Sequence, residues 1–213
     1  MKTLAALLIA LTVAVPARAQ SSGMSEDMPY SIRVYGLFAG QAFAASNTFE
    51  AIFGTSRGFF WGGGLEVVHS SGIFVDADIS TFKKDGQRAF VANGQTYPLG
   101  IPLTLTITPI NVTGGYRFLK DSRLSPYAGA GVTWYGYHET SSFADTGDDV
   151  DTRKAGFVWL VGAAVRVTDW VRVSADVQGT HVTGILGTGG VSKQFNENDA
   201  GGIAARFRVL LGR

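Results

Sequence analysis

From Ser31 onward, apolar residues alternate with small or polar ones at a period of two, the pattern of strands with two unlike faces. Eight such stretches are predicted: Ser31 to Phe43, Gly58 to His69, Ile73 to Phe82, Leu103 to Phe118, Pro126 to His138, Lys154 to Val167, Val171 to Thr183, and Ala200 to Leu211. Each is long enough to cross a membrane as a tilted strand, which takes ~9 to 11 residues. The links between them alternate in length. Ser70 to Gly72, Leu119 to Ser125 and Thr168 to Trp170 are short, whereas Ala44 to Arg57, Lys83 to Pro102, Glu139 to Arg153 and Gly184 to Asp199 are long. Short turns at one end and long loops at the other predict an all-β chain, an eight-stranded antiparallel up-and-down transmembrane β-barrel over residues 31–213 with both termini periplasmic.

The two faces separate by chemistry. Fixing strand direction puts Phe59, Trp61, Trp134, Phe157 and Trp159 outward near the loop ends of their strands. Tyr116, Phe118 and Trp170 fall outward near the opposite end, so two aromatic bands flank Val, Leu, Ile, Ala and Gly, as at two membrane interfaces. The inward phase carries Arg33, Glu66, Asp76, Asp78 and Arg117 in the first four strands. Arg166, Arg172, Asp176, Arg206 and Arg208 follow in the last three, with Tyr35, Gln41, Asn111 and Gln178 among them. A barrel of eight strands is just wide enough for side chains to fill it. Four carboxylates among six arginines are therefore expected to pair into a plug. Leu37, Phe43 and Phe60 would line an apolar region toward the loop end. In the fourth strand Leu103, Leu105 and Ile107 share one phase, but Ile110, Val112 and Tyr116 share the other, which predicts a β-bulge near Thr108 and Pro109.

Composition narrows the setting. Lys2, an apolar run from Leu4 to Val15, and Ala17-Arg18-Ala19 read as an export signal over residues 1–19, followed by a polar, flexible leader over 20–30. Without Lys2 and Arg18 the mature chain has 16 basic and 17 acidic residues, a formal charge of −1. That balance carries no nucleic-acid footprint. The chain has no cysteine, which excludes disulfides, thiolate metal sites and a lipoprotein anchor. Past the signal no apolar stretch approaches a spanning helix, so a membrane passage must use strands.

Asp145, Asp148, Asp149 and Asp151 crowd the third long loop and offer oxygen donors for calcium. Their spacing lacks the alternating ligands, central glycine and distal glutamate of an EF-hand, and a solvated acidic loop is expected instead. Gly184, Gly187, Gly189 and Gly190 make the fourth loop glycine-rich. No strand-to-helix context or Lys-Thr pair completes a P-loop, so mobility is the expectation. Asn93-Gly94 between Phe90-Val91-Ala92 and Gln95-Thr96-Tyr97 suits a type I′ turn, and a simple extension of strands three and four above the membrane is favoured over a dedicated contact hairpin.

Gly114-Gly115-Tyr116-Arg117-Phe118 closing one strand and Pro126-Tyr127-Ala128-Gly129-Ala130-Gly131-Val132 opening the next resemble the small outer-membrane β-barrel family, which includes OmpA-like, OmpX-like and OmpW-like barrels. The resemblance spans the mature chain and implies structural anchors, adhesins or small-molecule channels. Many such barrels end in an aromatic read by the assembly machinery; this chain ends Val209-Leu210-Leu211-Gly212-Arg213, with Phe207 the nearest aromatic. A lipid A deacylase would resemble this architecture too, and the three histidines, His69, His138 and His181, all fall on outward phases near strand ends; His181 and Thr183 share a face, but without an evident carboxylate. The reading is a non-enzymatic, cofactor-free, monomeric barrel with outer-membrane lipids and the barrel-assembly machinery as partners. Function would lie in mobile external loops whose partner is unknown. The alternative is an OmpW-like passive channel for small apolar molecules.

Overall fold

The computed structural model describes residues 29–92, 95–141 and 150–212. The export signal, most of the leader, the Asn93-Gly94 turn and Asp145, Asp148 and Asp149 lie outside the described residues. Eight strands form a closed antiparallel barrel in sequence order, β1 (Tyr30–Phe43), β2 (Arg57–His69), β3 (Ile73–Ala92), β4 (Gln95–Arg117), β5 (Leu124–Thr140), β6 (Val150–Arg166), β7 (Val171–His181) and β8 (Gly202–Gly212). β1 closes the ring on β8, with Arg33 opposite Gly212 and Phe43 opposite Gly202. Closure leaves no edge strand through the span, so the ladder backbone is satisfied without water.

The faces are sorted as lipid immersion requires. Ile32, Val34, Phe38, Val75, Ile79, Val112, Val132, Val161 and Leu211 are exposed, whereas Glu66, Arg117 and Arg208 are buried. All eight expected interface aromatics, Phe59, Trp61, Tyr116, Phe118, Trp134, Phe157, Trp159 and Trp170, are exposed on the outside. The indole of Trp159 lies over Gly179 of the neighbouring strand, so close that a Cβ there would come within 2.3 Å of the ring. Glycine at that position is what lets the aromatic lie flat against the wall.

β4 holds no bulge at Thr108 and Pro109. Its register with β5 is unbroken from Thr104 opposite Thr140 to Arg117 opposite Tyr127. On the β3 side the pairs Ile79 with Ile110 and Phe82 with Ile107 keep the same offset, and pairing is merely interrupted between them. Proline has no N–H to donate there. Leu103, Leu105, Ile107, Asn111, Thr113 and Arg117 are all buried on one continuous inward phase. The change of apolar phase in the sequence marks a change of lumen chemistry along the axis, from apolar to charged, and not a slip of the backbone.

The barrel's loop end is uneven. β3 and β4 extend as one long hairpin, paired out to Ala92 opposite Gln95, with a register shift between Gln87 and Ala89. Most of the link expected over Lys83 to Pro102 is thus strand. By contrast, the β2 to β3 ladder stops at Trp61 opposite Thr81, and the β6 to β7 ladder stops at Phe157 opposite His181. Above those points β3 to β6 stand as a raised wall. The space beside it is taken by helix α1 (Ser46–Phe53) from the first loop and helix α2 (Gly190–Gln194) from the fourth.

Candidate functional site

Three groups of side chains occupy the lumen in turn. In the centre, β3 supplies Asp76 and Asp78, β7 supplies Asp176, and β8 supplies Arg206 and Arg208, all on inward phases two residues apart. Arg206 places Nε 2.6 Å from Asp176 Oδ1 and Nη1 3.2 Å from Asp78 Oδ2. Arg208 places Nη1 2.9 Å from Asp76 Oδ2 and Nε 3.2 Å from Asp176 Oδ2. Three carboxylates against two guanidiniums would leave negative charge uncompensated in a low-dielectric space. Neutral donors meet it: Tyr35 donates to Asp76 at 2.7 Å, Tyr127 to Asp176 at 2.7 Å, and Asn111 Nδ2 to Asp78 at 2.7 Å. The Arg208 guanidinium also lies 5.0 and 5.2 Å from the Tyr35 and Tyr127 ring centroids, within cation–π reach.

Toward the end that carries the short turns, the balance reverses. Glu66 accepts from Arg33 at 2.9 Å and from Arg117, and all three side chains are buried. Arg166 and Arg172, expected in the same network, do not join it. They face each other across β6 and β7, and the only described side-chain hydrogen bond of the pair runs from Arg166 Nη2 to the Asp121 carbonyl at 3.2 Å. The ten predicted lumen residues thus divide into a central set of five, a Glu66 set of three, and two arginines without a carboxylate partner among the described residues.

Toward the loop end the lumen is apolar. Phe43, Phe60, Phe82, Leu103, Leu105 and Ile107 from the wall meet Phe49 of α1 and Val182, Ile185 and Leu186 of the fourth loop in one buried cluster. Phe43 and Phe49 stack with centroids 3.8 Å apart, and Phe60 and Phe82 lie 5.3 Å apart. Leu37, expected here with Phe43 and Phe60, sits instead lower in the lumen with Tyr35 and Leu210. Its inward phase was legible, but its height was not, because strand tilt moves the same ladder position along the axis from one strand to the next.

The first and the fourth loops, expected to be mobile, contain folded elements and are hydrogen-bonded to each other. Glu197 of the fourth loop caps α1 from outside its own segment. Its Oε1 accepts from Asn47 N and Nδ2 at 3.0 Å each, and its Oε2 accepts from Thr48 N at 2.8 Å and Thr48 Oγ1 at 2.6 Å. The helix's own N-cap, Ala45, offers no side-chain acceptor, so this carboxylate satisfies the free amides and complements the helix dipole. Gly184, Gly187 and Gly190 have φ of 77, 88 and 58°, the left-handed region, so the glycines build tight turns in a folded loop. Nothing in the spacing of Glu197 from Asn47 signals this clamp, which forms only once the barrel has brought the two loops together.

Asp199 closes the base of the same loop. Its Oδ1 accepts from Val182 N at 2.8 Å and Gly201 N at 2.9 Å, and its Oδ2 lies 2.6 Å from His181 Nδ1. A carboxylate therefore does stand beside His181, contrary to the expectation from sequence. The described contacts of His181 do not include the Thr183 hydroxyl, and Asp199 is engaged in holding the loop. Asp151 lies opposite His138 in the β5 to β6 ladder, and no three metal-ligating side chains gather among the described residues.

A closed sheet with a lipid-compatible exterior and a charged interior defines a transmembrane β-barrel. A model of the outer membrane protein beta-barrel domain matches residues 3–205, and the chain belongs to that family of bacterial outer-membrane barrels. No curated protein sequence matches the chain. Among solved structures it is similar to a major outer membrane protein from Thermus thermophilus, at 10% identity and a TM-score of 0.49 over 85% of this chain and 99% of that one. It is also similar to OprG from Pseudomonas aeruginosa, at 12% identity and 0.48 over 85% and 93% of the two chains. The N-terminal β-barrel domain of OprF from the same organism gives 13% and 0.46 over 85% and 97%.

Proposed function

We propose that this protein is a non-enzymatic outer-membrane barrel with a closed lumen, serving envelope structure or surface contact through a rigid platform at its loop end. The observation that carries this is the succession of charged and apolar side chains along the axis, with loops one and four folded into the mouth. The same reading sets the loop end outside and both termini in the periplasm, as the alternation of short and long links suggests. It makes outer-membrane lipids the solvent of the exposed strand faces and assigns the assembly signal to Phe207, which lies outward on β8 opposite Phe38. The barrel acts as a monomer.

A second reading has one observation in its favour. A cavity of about 340 Å³ opens beside the apolar cluster, lined by Ile52, Leu99, Leu103, Tyr137, Ile185 and Leu186 among others. That volume suits a small apolar molecule. Uptake of labelled n-octane across vesicles with a lipopolysaccharide outer leaflet separates the two readings. The closed barrel is expected to leave the uptake rate at that of protein-free vesicles; acceleration by the wild-type chain would replace the closed reading with an apolar conduit.

A further inference from the structure

The two charged sets in the lumen are not balanced alike, and the imbalance at the turn end has no carboxylate partner among the described residues. Arg33 lies near the start of β1, Arg117 and Arg166 end β4 and β6, and Arg172 is the second residue of β7. Arg172 is within electrostatic range of Arg33, Arg117 and Arg166. Of these four guanidiniums only Arg33 and Arg117 have a carboxylate partner among the described residues, and both have the same one, Glu66. In the central set every surplus charge is met by a tyrosine or asparagine donor, whereas among the described residues the surplus here meets only the Asp121 carbonyl, which accepts from Arg166, and the face of the Tyr127 ring, 4.8 Å from the Arg117 guanidinium. Arg117 is 1% exposed, and its Nε and Nη1 have no hydrogen-bond partner among the described residues. The same holds for Arg33 Nε and Arg172 Nη1, so four such guanidinium nitrogens gather at the turn end against one, Arg206 Nη2, in the central set.

Buried donors without acceptors are costly, and like charges directly opposite on paired strands repel. Arg166 and Arg172 are such an opposed pair. Both costs vanish together when an oxyanion enters, because guanidiniums donate in planar forks that match phosphate oxygens. We propose that the turn end of the lumen is an anion-binding site in which Arg33, Arg117, Arg166 and Arg172 hold a phosphate group. Glu66 keeps Arg33 and Arg117 in place from one side, leaving their remaining N–H groups to the ligand. Arg166 and Arg172, half-buried at the rim, form the entrance. The phosphate comes either free from solution or on the headgroup of an anionic phospholipid at the barrel mouth. The site does not depend on which way the barrel faces or on whether the lumen conducts.

The test uses the refolded chain in octyl glucoside micelles, which contain no phosphate, at constant ionic strength. Inorganic phosphate is titrated against chloride, and phosphatidylglycerol against a phosphate-free galactolipid, with ³¹P line broadening and the unfolding midpoint as readouts. Wild-type protein is expected to bind phosphate or phosphatidylglycerol and to unfold at higher temperature in its presence. The R166Q/R172Q double variant, whose folding is checked by its heat-modifiable gel shift, is expected to bind about tenfold more weakly or less. If the double variant does not fold, the R172Q single variant is read the same way. A response to inorganic phosphate identifies the free ion as sufficient, and a response to phosphatidylglycerol alone identifies a lipid headgroup. No response of the wild type to either probe, or an equal response of the folded variant, overturns the proposal.

Discussion

Replacing Glu66 with alanine is expected to destabilise the folded barrel by about 3–5 kcal/mol, the usual cost of removing one partner from a buried ion pair. The effect is large because one side chain serves two cations. Arg33 and Arg117 both bond to Glu66, and neither has another carboxylate within ion-pair distance among the described residues. Without it, four arginines share the turn end with no carboxylate partner among the described residues. Equilibrium unfolding in urea, followed by the heat-dependent gel shift, measures the loss. A change below about 1 kcal/mol would place the charges in water-accessible surroundings, where exposed pairs contribute little. Wild-type stability in the variant would therefore argue against a dry lower lumen.

Glu197→Ala is expected to release α1 and the fourth loop together. The carboxylate accepts four hydrogen bonds from Asn47 and Thr48, and bonds to a charged acceptor contribute about 1.5–3 kcal/mol where they are sheltered. Amide exchange in α1 should then accelerate by about one to two orders of magnitude, while the strands keep their protection. Glu197→Gln should recover part of the loss, since an amide oxygen can still accept two of the bonds. Unchanged exchange in both variants would mean that the stacking of Phe49 on Phe43 and the surrounding apolar cluster hold the loop without the cap.

The barrel was legible because its two faces differ so sharply. In β1, for example, Arg33, Tyr35 and Gln41 alternate with Ile32, Val34 and Phe38, and a period of two fixes which set faces inward whatever the register. The same logic found every charge of the central set. It could not find how those charges divide, because pairing depends on stagger between strands far apart in sequence, such as Asp78 with Arg206. Pro109 misled for a related reason. A switch of apolar phase means a bulge when the interior is uniformly apolar or uniformly polar, but here the interior itself changes character at that height. The loop-end cover was the least legible part. Glu197 and Asp199 act at positions created by the fold, and a glycine-rich loop reads alike in sequence whether it is loose or tightly turned.

Single-channel recording of the refolded wild-type chain in a planar bilayer tests the closed lumen most directly. With Arg206 and Arg208 bridging Asp76, Asp78 and Asp176 across the centre and the apolar cluster above them, no resolvable current is expected at any applied voltage. Steady, discrete conductance steps from protein that shows the folded gel shift would contradict the account and make the same arginines and aspartates the lining of a pore.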